Sequence, residues 1–461
     1  MGADDAPTRS VLSCPDGPAV TALSQPRRTR LALLAAGSAF VIALVFFAAI
    51  NRLGSGADRS VSADPEPSAT ARPRDTAGRI ANLQNVLRSR PGDAALWARL
   101  GQAYYQRVRE TGDFSYYTRA VAVLDTAQHL DPRNVDALVG LATVALARHD
   151  FRGGLALARQ AQQLGPLQLA WYPALIDGLV ETGQYPAAGD ALQHFEGQNP
   201  GLASYARVSY LRELNGDLAG ATQAMTLAIS AGGAVPENVA YVQTLLGDLE
   251  FMQGHLAAAQ RSYRLALASV ARYPLAGAGL ASVQAAEGAY GPATLGLRQV
   301  VDQLPLPQFI VALGETELAA GRPVQARSDF ALIGAEERLL AANGVNTDVD
   351  LALYEANHGD PQRAVVLGRR AWAQAPSVRS ADALGWALTA SANPREGLGW
   401  AHRALALGSV DPNFLYHAGV AARDSGHREE ARADLRAALS RNPRFSPLYG
   451  PRAQRALQAL P

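Results

Sequence analysis

The pattern of apolar and polar residues divides this chain into four segments. Residues 1–30 have no apolar periodicity and contain four prolines, which predicts a disordered N-terminal tail. Residues 31–50 are an uncharged run of 20 residues, and a helix of that length spans about 30 Å, the thickness of the hydrocarbon core of a bilayer. Residues 51–79 are rich in Pro, Ser, Ala and Gly, and we expect a flexible linker there. From residue 80 to residue 461, apolar positions recur at helical spacing.

The run at 31–50 predicts a transmembrane helix that acts as an uncleaved signal anchor. Arg27, Arg28 and Arg30 precede this run, whereas Arg52 and Arg59 follow it. Since basic flanks stay on the cytoplasmic side, we expect a single-pass protein of the cell membrane with a cytoplasmic N-terminus and an extracytoplasmic remainder. The alternative is a signal peptide cleaved near residues 55–57, which would release a secreted protein.

Glycine and proline divide residues 80–461 at a nearly constant interval. Pro132, Pro166 and Pro200 are 34 residues apart, and Gly254 and Gly288 are also 34 residues apart. A glycine turn between two helices, followed by a proline break, is the pattern expected of a helix pair. Because one such pair cannot bury its apolar face alone, consecutive pairs must stack. The sequence therefore predicts an all-α solenoid of antiparallel helix pairs over residues 80–461.

Three interruptions break this period, at residues 105–119, 230–238 and 334–350. Insertions in repeat arrays form loops or longer helices, often beside the binding face. Neutral drift in a tolerant loop is the other interpretation.

The repeated unit resembles the tetratricopeptide repeat (TPR). The motif positions of its clearest copy are Trp97, Leu100, Gly101, Tyr104, Ala120, Leu124, Ala127 and Pro132. The resemblance implies about ten repeats in a right-handed superhelix, with partner peptides bound along the inner surface that the first helix of each pair lines.

Composition excludes several kinds of chemistry. All 42 basic residues are arginine, so the chain cannot use a lysine side chain as a phosphate ligand, a Schiff base or a general base. Cys14 is the one cysteine, and the histidines lack the spacing of a zinc protease. Residues 76–461 contain 34 arginines and 34 acidic residues, which disfavours nucleic-acid binding. We therefore predict that the chain is not an enzyme and has no cofactor or metal.

The resemblance also selects a candidate partner-binding face. Its inner positions, carried over by register, are Gln102, Tyr105, Tyr210, Glu213, Tyr241, Asp248, Phe251, Glu315, Tyr416 and Arg423. Tyrosines are suited to protein interfaces, although they are equally consistent with packing between repeats.

The predicted function is a membrane-anchored scaffold or adaptor that binds another protein in a bacterial cell envelope. One alternative is an envelope module that binds a ligand or glycan, with the inner tyrosines stacking on sugars. Another is a regulatory subunit of a membrane complex.

Overall fold

The structure of the chain is a computed structural model that describes residues 75–233 and 235–460. These residues form 23 α-helices and no β-strand, which confirms the predicted all-α class. Twenty of the helices form ten consecutive pairs. The other three are α1 (Thr76–Ser89), α16 (Ile333–Ala342) and α23 (Tyr449–Gln458).

The connections within the pairs are two to four residues long, so the two helices of a pair are antiparallel. The first five pairs are α2 (Ala94–Thr111) with α3 (Ser115–Leu130), α4 (Val135–Ala147) with α5 (Phe151–Leu164), α6 (Tyr172–Glu181) with α7 (Tyr185–Gln198), α8 (Leu202–Glu213) with α9 (Leu218–Ala231), and α10 (Pro236–Met252) with α11 (Leu256–Ser269). The next five are α12 (Pro274–Ala286) with α13 (Tyr290–Gln303), α14 (Pro307–Ala319) with α15 (Pro323–Phe330), α17 (Asp348–His358) with α18 (Pro361–Gln374), α19 (Val378–Ala390) with α20 (Pro394–Ala404), and α21 (Pro412–Asp424) with α22 (Arg428–Arg441). Below, the first and second members of these pairs are called first helices and second helices.

Glycines at the helix crossings allow large side chains of the second helices to lie between successive first helices. Tyr263 on α11 is 1% exposed and lies against Gly247 on α10 and Gly279 on α12. A Cβ atom at Gly247 would lie 2.5 Å from the Tyr263 ring, and one at Gly279 would lie 2.3 Å from it. Because a carbon atom cannot come so close, only glycine permits this packing.

The turn within most pairs contains a residue in the left-handed region of backbone conformation. Gly254 (φ 75°) and Gly288 (φ 80°) occupy this position in two of the pairs. His149 (φ 60°) and Ala392 (φ 64°) occupy it in two others, where a Cβ atom makes the conformation costly. The glycine period of the sequence thus marks the turns, and these two pairs carry local strain.

The interruptions of the period are accommodated in different ways. The first lengthens α2, which reaches 18 residues and has Gly112 (φ 71°) as its C-cap. The second lies in the connection between α9 and α10, where residue 234 is not described. The third forms α16, a helix outside the pairing.

Successive turns of the superhelix are in direct contact. Four hydrogen bonds join residues that are 191 to 197 positions apart. They are Arg148 Nε to the Gly344 carbonyl oxygen (3.2 Å), His149 Nδ1 to the Asn346 carbonyl oxygen (2.5 Å), the Val378 backbone N–H to the Tyr185 hydroxyl oxygen (2.9 Å), and Asn442 Nδ2 to the Phe251 carbonyl oxygen (2.7 Å). This separation corresponds to roughly five to six helix pairs, each of about 34 residues. Within the described residues, the superhelix therefore closes on itself.

Within residues 75–233 and 235–460, no helix has the length and apolar character needed to cross a bilayer. The predicted tail at 1–30 and the predicted transmembrane helix at 31–50 lie outside the described residues. Most of the predicted linker lies outside them as well. Residues 76–79, the last four of that linker, instead form the first turn of α1, because the Asp75 carboxylate accepts a hydrogen bond from the Gly78 N–H at 2.5 Å.

Candidate functional site

The four tyrosines of the predicted face are buried. Tyr105, Tyr210, Tyr241 and Tyr416 are 2%, 6%, 1% and 5% exposed, so a partner cannot reach them in this structure. All four lie on first helices, as the repeat register predicts, but the register does not include contacts with more distant parts of the superhelix. The next turn covers Tyr210, while neighbouring helices of the C-terminal end cover Tyr416, so these tyrosines pack inside the superhelix rather than on an open surface.

Tyr210 shows how the closure buries an inner residue. Its hydroxyl donates a hydrogen bond to Glu181 Oε1 (3.1 Å) and accepts one from Arg379 Nε (3.0 Å). The Arg379 guanidinium also lies 5.5 Å from the centre of the Tyr210 ring. Arg379 is on α19, 169 residues beyond Tyr210 on α8. Tyr210 therefore helps to hold two superhelical turns together.

Tyr241 belongs to a second buried network. The Arg109 guanidinium lies 5.7 Å from the Tyr241 ring centre and forms an ion pair of 2.6 Å with Glu237. The Tyr273 hydroxyl donates to the same carboxylate at 2.8 Å. Tyr241 is thus part of the contact between α2 and α10.

Tyr416 lies in an aromatic cluster near the C-terminal end. Its ring centre is 5.7 Å from Trp386, 5.9 Å from Phe445 and 5.6 Å from Tyr449. Such distances are typical of packed aromatic pairs. The neighbouring rings cover Tyr416, so it offers no free face for stacking on a ligand.

Four of the other predicted residues line one cavity of about 300 Å³. They are Glu213 at the end of α8, Asp248 and Phe251 on α10, and Glu315 on α14. All four are half-buried, and the cavity is partly open to solvent. The remaining two, Gln102 and Arg423, do not line it. Arg423 forms an ion pair of 2.7 Å with its neighbour Asp424.

Seven consecutive first helices, from α8 to α21, bring residues to this cavity or to its edge. Its charged lining is strongly acidic. The acidic members are Glu213, Asp248, Glu315, Asp350, Asp382 and Asp411, and the basic members are Arg379 and His417. The cavity is therefore the place where the closed superhelix concentrates carboxyl groups.

Three of the acidic residues have a local partner. His417 Nδ1 lies 2.9 Å from Asp382 Oδ1, and His358 Nε2 lies 2.9 Å from Glu315 Oε1. Asp411 caps α21 by accepting a hydrogen bond from a backbone N–H.

Glu213, Asp248 and Asp350 form no ion pair within the described ranges. Burial raises the pKa of the Glu213 carboxyl to about 8, against the attraction of Arg379 and with further repulsion from Asp411 and Asp248. Burial likewise raises the pKa of Asp248 to about 8, although the Tyr263 hydroxyl donates a hydrogen bond to it at 2.6 Å. The pKa of Asp350 rises to about 6 for the same reason, with Arg379 opposing the rise.

Arg379 is the one guanidinium in the lining, and it is 7% exposed. Its positive charge is already engaged with Glu181 and the Tyr210 hydroxyl. Its Nη1 atom nevertheless has no hydrogen-bond partner in the described part of the chain. Two acceptor atoms of the lining, Asp248 Oδ2 and Gln308 Oε1, are also buried without a partner there. The cavity thus presents unused hydrogen-bonding groups of both kinds, donor and acceptor.

The predicted face does not include Asp350, Arg379, Asp382 or Asp411, which also line the cavity. Asp350 ends the third interruption of the period, and that position was the one available signal for it. The others enter the cavity because α19 and α21 lie one superhelical turn beyond α8 and α10. Among the described residues, no group of three or more His, Cys, Asp or Glu side chains is arranged to hold a metal ion.

Known proteins resemble this chain only distantly. No family model matches the chain, and no curated protein matches it. Among solved structures, yeast Tom70 is 10% identical, with 83% of this chain and 92% of that chain covered at a TM-score of 0.34. A tetratricopeptide repeat protein from Parabacteroides merdae is 17% identical, with 56% and 97% covered at a TM-score of 0.32. The human IFIT1 dimer with PPP-AAAA is 15% identical, with 79% and 77% covered at a TM-score of 0.37.

At these TM-scores the likenesses carry no argument about function. The assignment of the described residues as an all-α solenoid of ten helix pairs rests on the packing within the chain itself.

Proposed function

We propose that this protein is a scaffold that binds a segment of another protein, and that the acidic cavity is its binding site. The observation that supports the proposal is the cavity itself, since about 300 Å³ is at the lower end of the range found for ligand sites. That volume admits a few side chains of a partner rather than a folded domain.

The alternative of a glycan-binding module requires aromatic faces on which sugars can stack. Tyr210, Tyr241 and Tyr416 would supply those faces, and they are covered by neighbouring residues. These three tyrosines therefore cannot stack on a sugar in this structure, and the six carboxyl groups of the cavity favour recognition by charge and hydrogen bonds.

Site-specific photocrosslinking in cells that express the full-length chain tests the scaffold proposal. A photocrosslinking amino acid in place of Phe251, which lines the cavity, should give one discrete adduct with a protein. The matched control is the same amino acid in place of Leu167, which is 96% exposed between α5 and α6. Loss of the adduct in Glu213→Gln would connect it to the cavity. Equal adducts at both positions, or no protein adduct at Phe251, would contradict the proposal.

The location is a second part of the proposal. The uncharged run at 31–50 and the arginines before it support a single-pass anchor with the solenoid outside the cytoplasm. An alkaline phosphatase fused after Arg79 should then be active. Activity of a cytoplasmic reporter fused at the same point would reverse the orientation.

A further inference from the structure

We propose that the partner segment is basic, so that an arginine or lysine side chain enters the cavity among Glu213, Asp248 and Asp350. This inference rests on the proposed function and names the chemistry of its ligand. A basic segment is the complement of a lining in which six acidic residues accompany one arginine and one histidine.

The three carboxyl groups lack a cationic partner of their own, and a bound cation would favour their ionised form over the protonated form that burial favours. Arg379 is close enough to attract both Glu213 and Asp350 electrostatically. Its guanidinium is also attracted to Glu181 and donates a hydrogen bond to the Tyr210 hydroxyl. Asp248 has the Tyr263 hydroxyl as its hydrogen-bond donor and no cation within 4 Å among the described residues. One cationic group from a partner would supply the missing charge to this cluster.

A second observation is independent of the acidic cluster. The Nη1 atom of Arg379 is a buried donor without a partner, and Asp248 Oδ2 and Gln308 Oε1 are buried acceptors without one. Buried polar atoms in native proteins are almost always satisfied, so a ligand that fits this cavity should satisfy them. A cationic side chain can donate to the two acceptors, while the donor at Arg379 requires an acceptor from the same ligand.

The need for an acceptor distinguishes a peptide from a simple polyamine. The carbonyl oxygen of a peptide bond would accept from Arg379 Nη1, whereas a protonated polyamine carries donors and no acceptor. The chemistry of the cavity therefore favours a basic peptide over a free polycation.

Isothermal titration calorimetry on the full-length chain in detergent tests this inference. The probes are acetyl-Ala-Arg-Ala-Arg-Ala-amide, the same peptide with glutamine in place of arginine, and spermidine. We expect the arginine peptide to bind at least tenfold more tightly than either of the others. Comparable affinity for the glutamine peptide would overturn the inference, and tighter binding of spermidine than of the arginine peptide would replace it with a polyamine site.

Variants locate the binding. Glu213→Gln and Asp248→Asn preserve side-chain shape, and each should weaken the arginine peptide about tenfold or more. The matched control is Asp125→Asn, because Asp125 is exposed on the second helix α3. The helical circular dichroism of each variant checks that the fold is retained, and unchanged affinity in folded cavity variants would refute the assignment.

Failure of this inference can be distinguished from failure of the scaffold proposal. If the basic peptide does not bind but the Phe251 adduct still forms, the cavity binds a protein of other chemistry. If neither is observed, the scaffold proposal fails together with its ligand.

Discussion

Replacement of Asp248 by asparagine should stabilise the protein, and more so at high pH. Asp248 is half-buried on α10, and burial raises its pKa from 3.8 to about 8. Between these two values the folded chain retains a proton that the unfolded chain has lost. Rising pH therefore favours unfolding throughout this interval. Asparagine has a similar shape, can still accept the Tyr263 hydrogen bond and does not ionise.

The magnitude follows from the same pKa difference. A change from 3.8 to about 8 corresponds to at most about 6 kcal/mol. Since Asp248 is coupled to Glu213, and water reaches part of the cavity, we expect about half of this value, ~3 kcal/mol, at pH 9. For a folded unit of about 390 residues this is a rise in Tm of about 4 °C. At pH 5, where about a quarter of the interval has been crossed, the expected rise is about 1 °C.

Thermal unfolding followed by circular dichroism, on the full-length chain in detergent at pH 5 and pH 9, measures this difference. Asp125→Asn is the control, and its effect on Tm should be small and equal at both pH values, since Asp125 is exposed. A rise in Tm for Asp248→Asn that is the same at pH 5 and pH 9, or a fall in Tm at pH 9, would show that burial does not destabilise the ionised carboxylate.

Three further predictions concern the turns, a buried ion pair and the contact between superhelical turns. Gly288→Ala should lower the free energy of unfolding by about 1–2 kcal/mol, because φ is 80° there while nothing obstructs the methyl group. Ala392→Gly, at a φ of 64°, should raise it by about 1 kcal/mol. The Tm values of the two variants should therefore shift in opposite directions. Arg207→Met should lower the free energy of unfolding by about 3–5 kcal/mol, because it leaves the buried Asp177 carboxylate without its guanidinium partner. The double variant that also carries Asp177→Leu should recover most of the lost Tm. Tyr185→Phe should lower the free energy of unfolding by about 1 kcal/mol and speed hydrogen exchange at the Val378 amide, which donates to the Tyr185 hydroxyl. Unchanged exchange at this amide would show that the inter-turn hydrogen bond does not form.

The helix pairs could be predicted from sequence because their determinants are local. Gly254 marks a turn through its positive φ, while Gly247 and Tyr263 mark a crossing through their sizes. These signals lie within one or two repeats and depend on contacts between neighbouring helices. The third interruption could not be predicted in this way, because Gly344 (φ 71°) marks a turn while α16, the helix before that turn, belongs to no pair.

The contents of the cavity could not be predicted in the same way. A stacking period fixes which helices are neighbours, but the rotation between pairs accumulates over five to six pairs before the superhelix closes. Small differences in that rotation decide whether α19 lies beside α8. The meeting of Tyr210 with Arg379, and the entry of Asp350 and Asp411 into the same cavity, depend on this accumulated geometry.

The hydrogen bonds between residues 191 to 197 positions apart also affect how the chain folds. In an open solenoid each repeat contacts only its neighbours, so folding can start anywhere and the ends can fray independently. Here the second and third pairs contact the eighth and ninth, which links the stability of early and late repeats. We expect unfolding to be more cooperative than in an open array, and folding to be slower because distant contacts must form. Removal of α19 to α23 should therefore destabilise helices near residue 185, almost two hundred positions away.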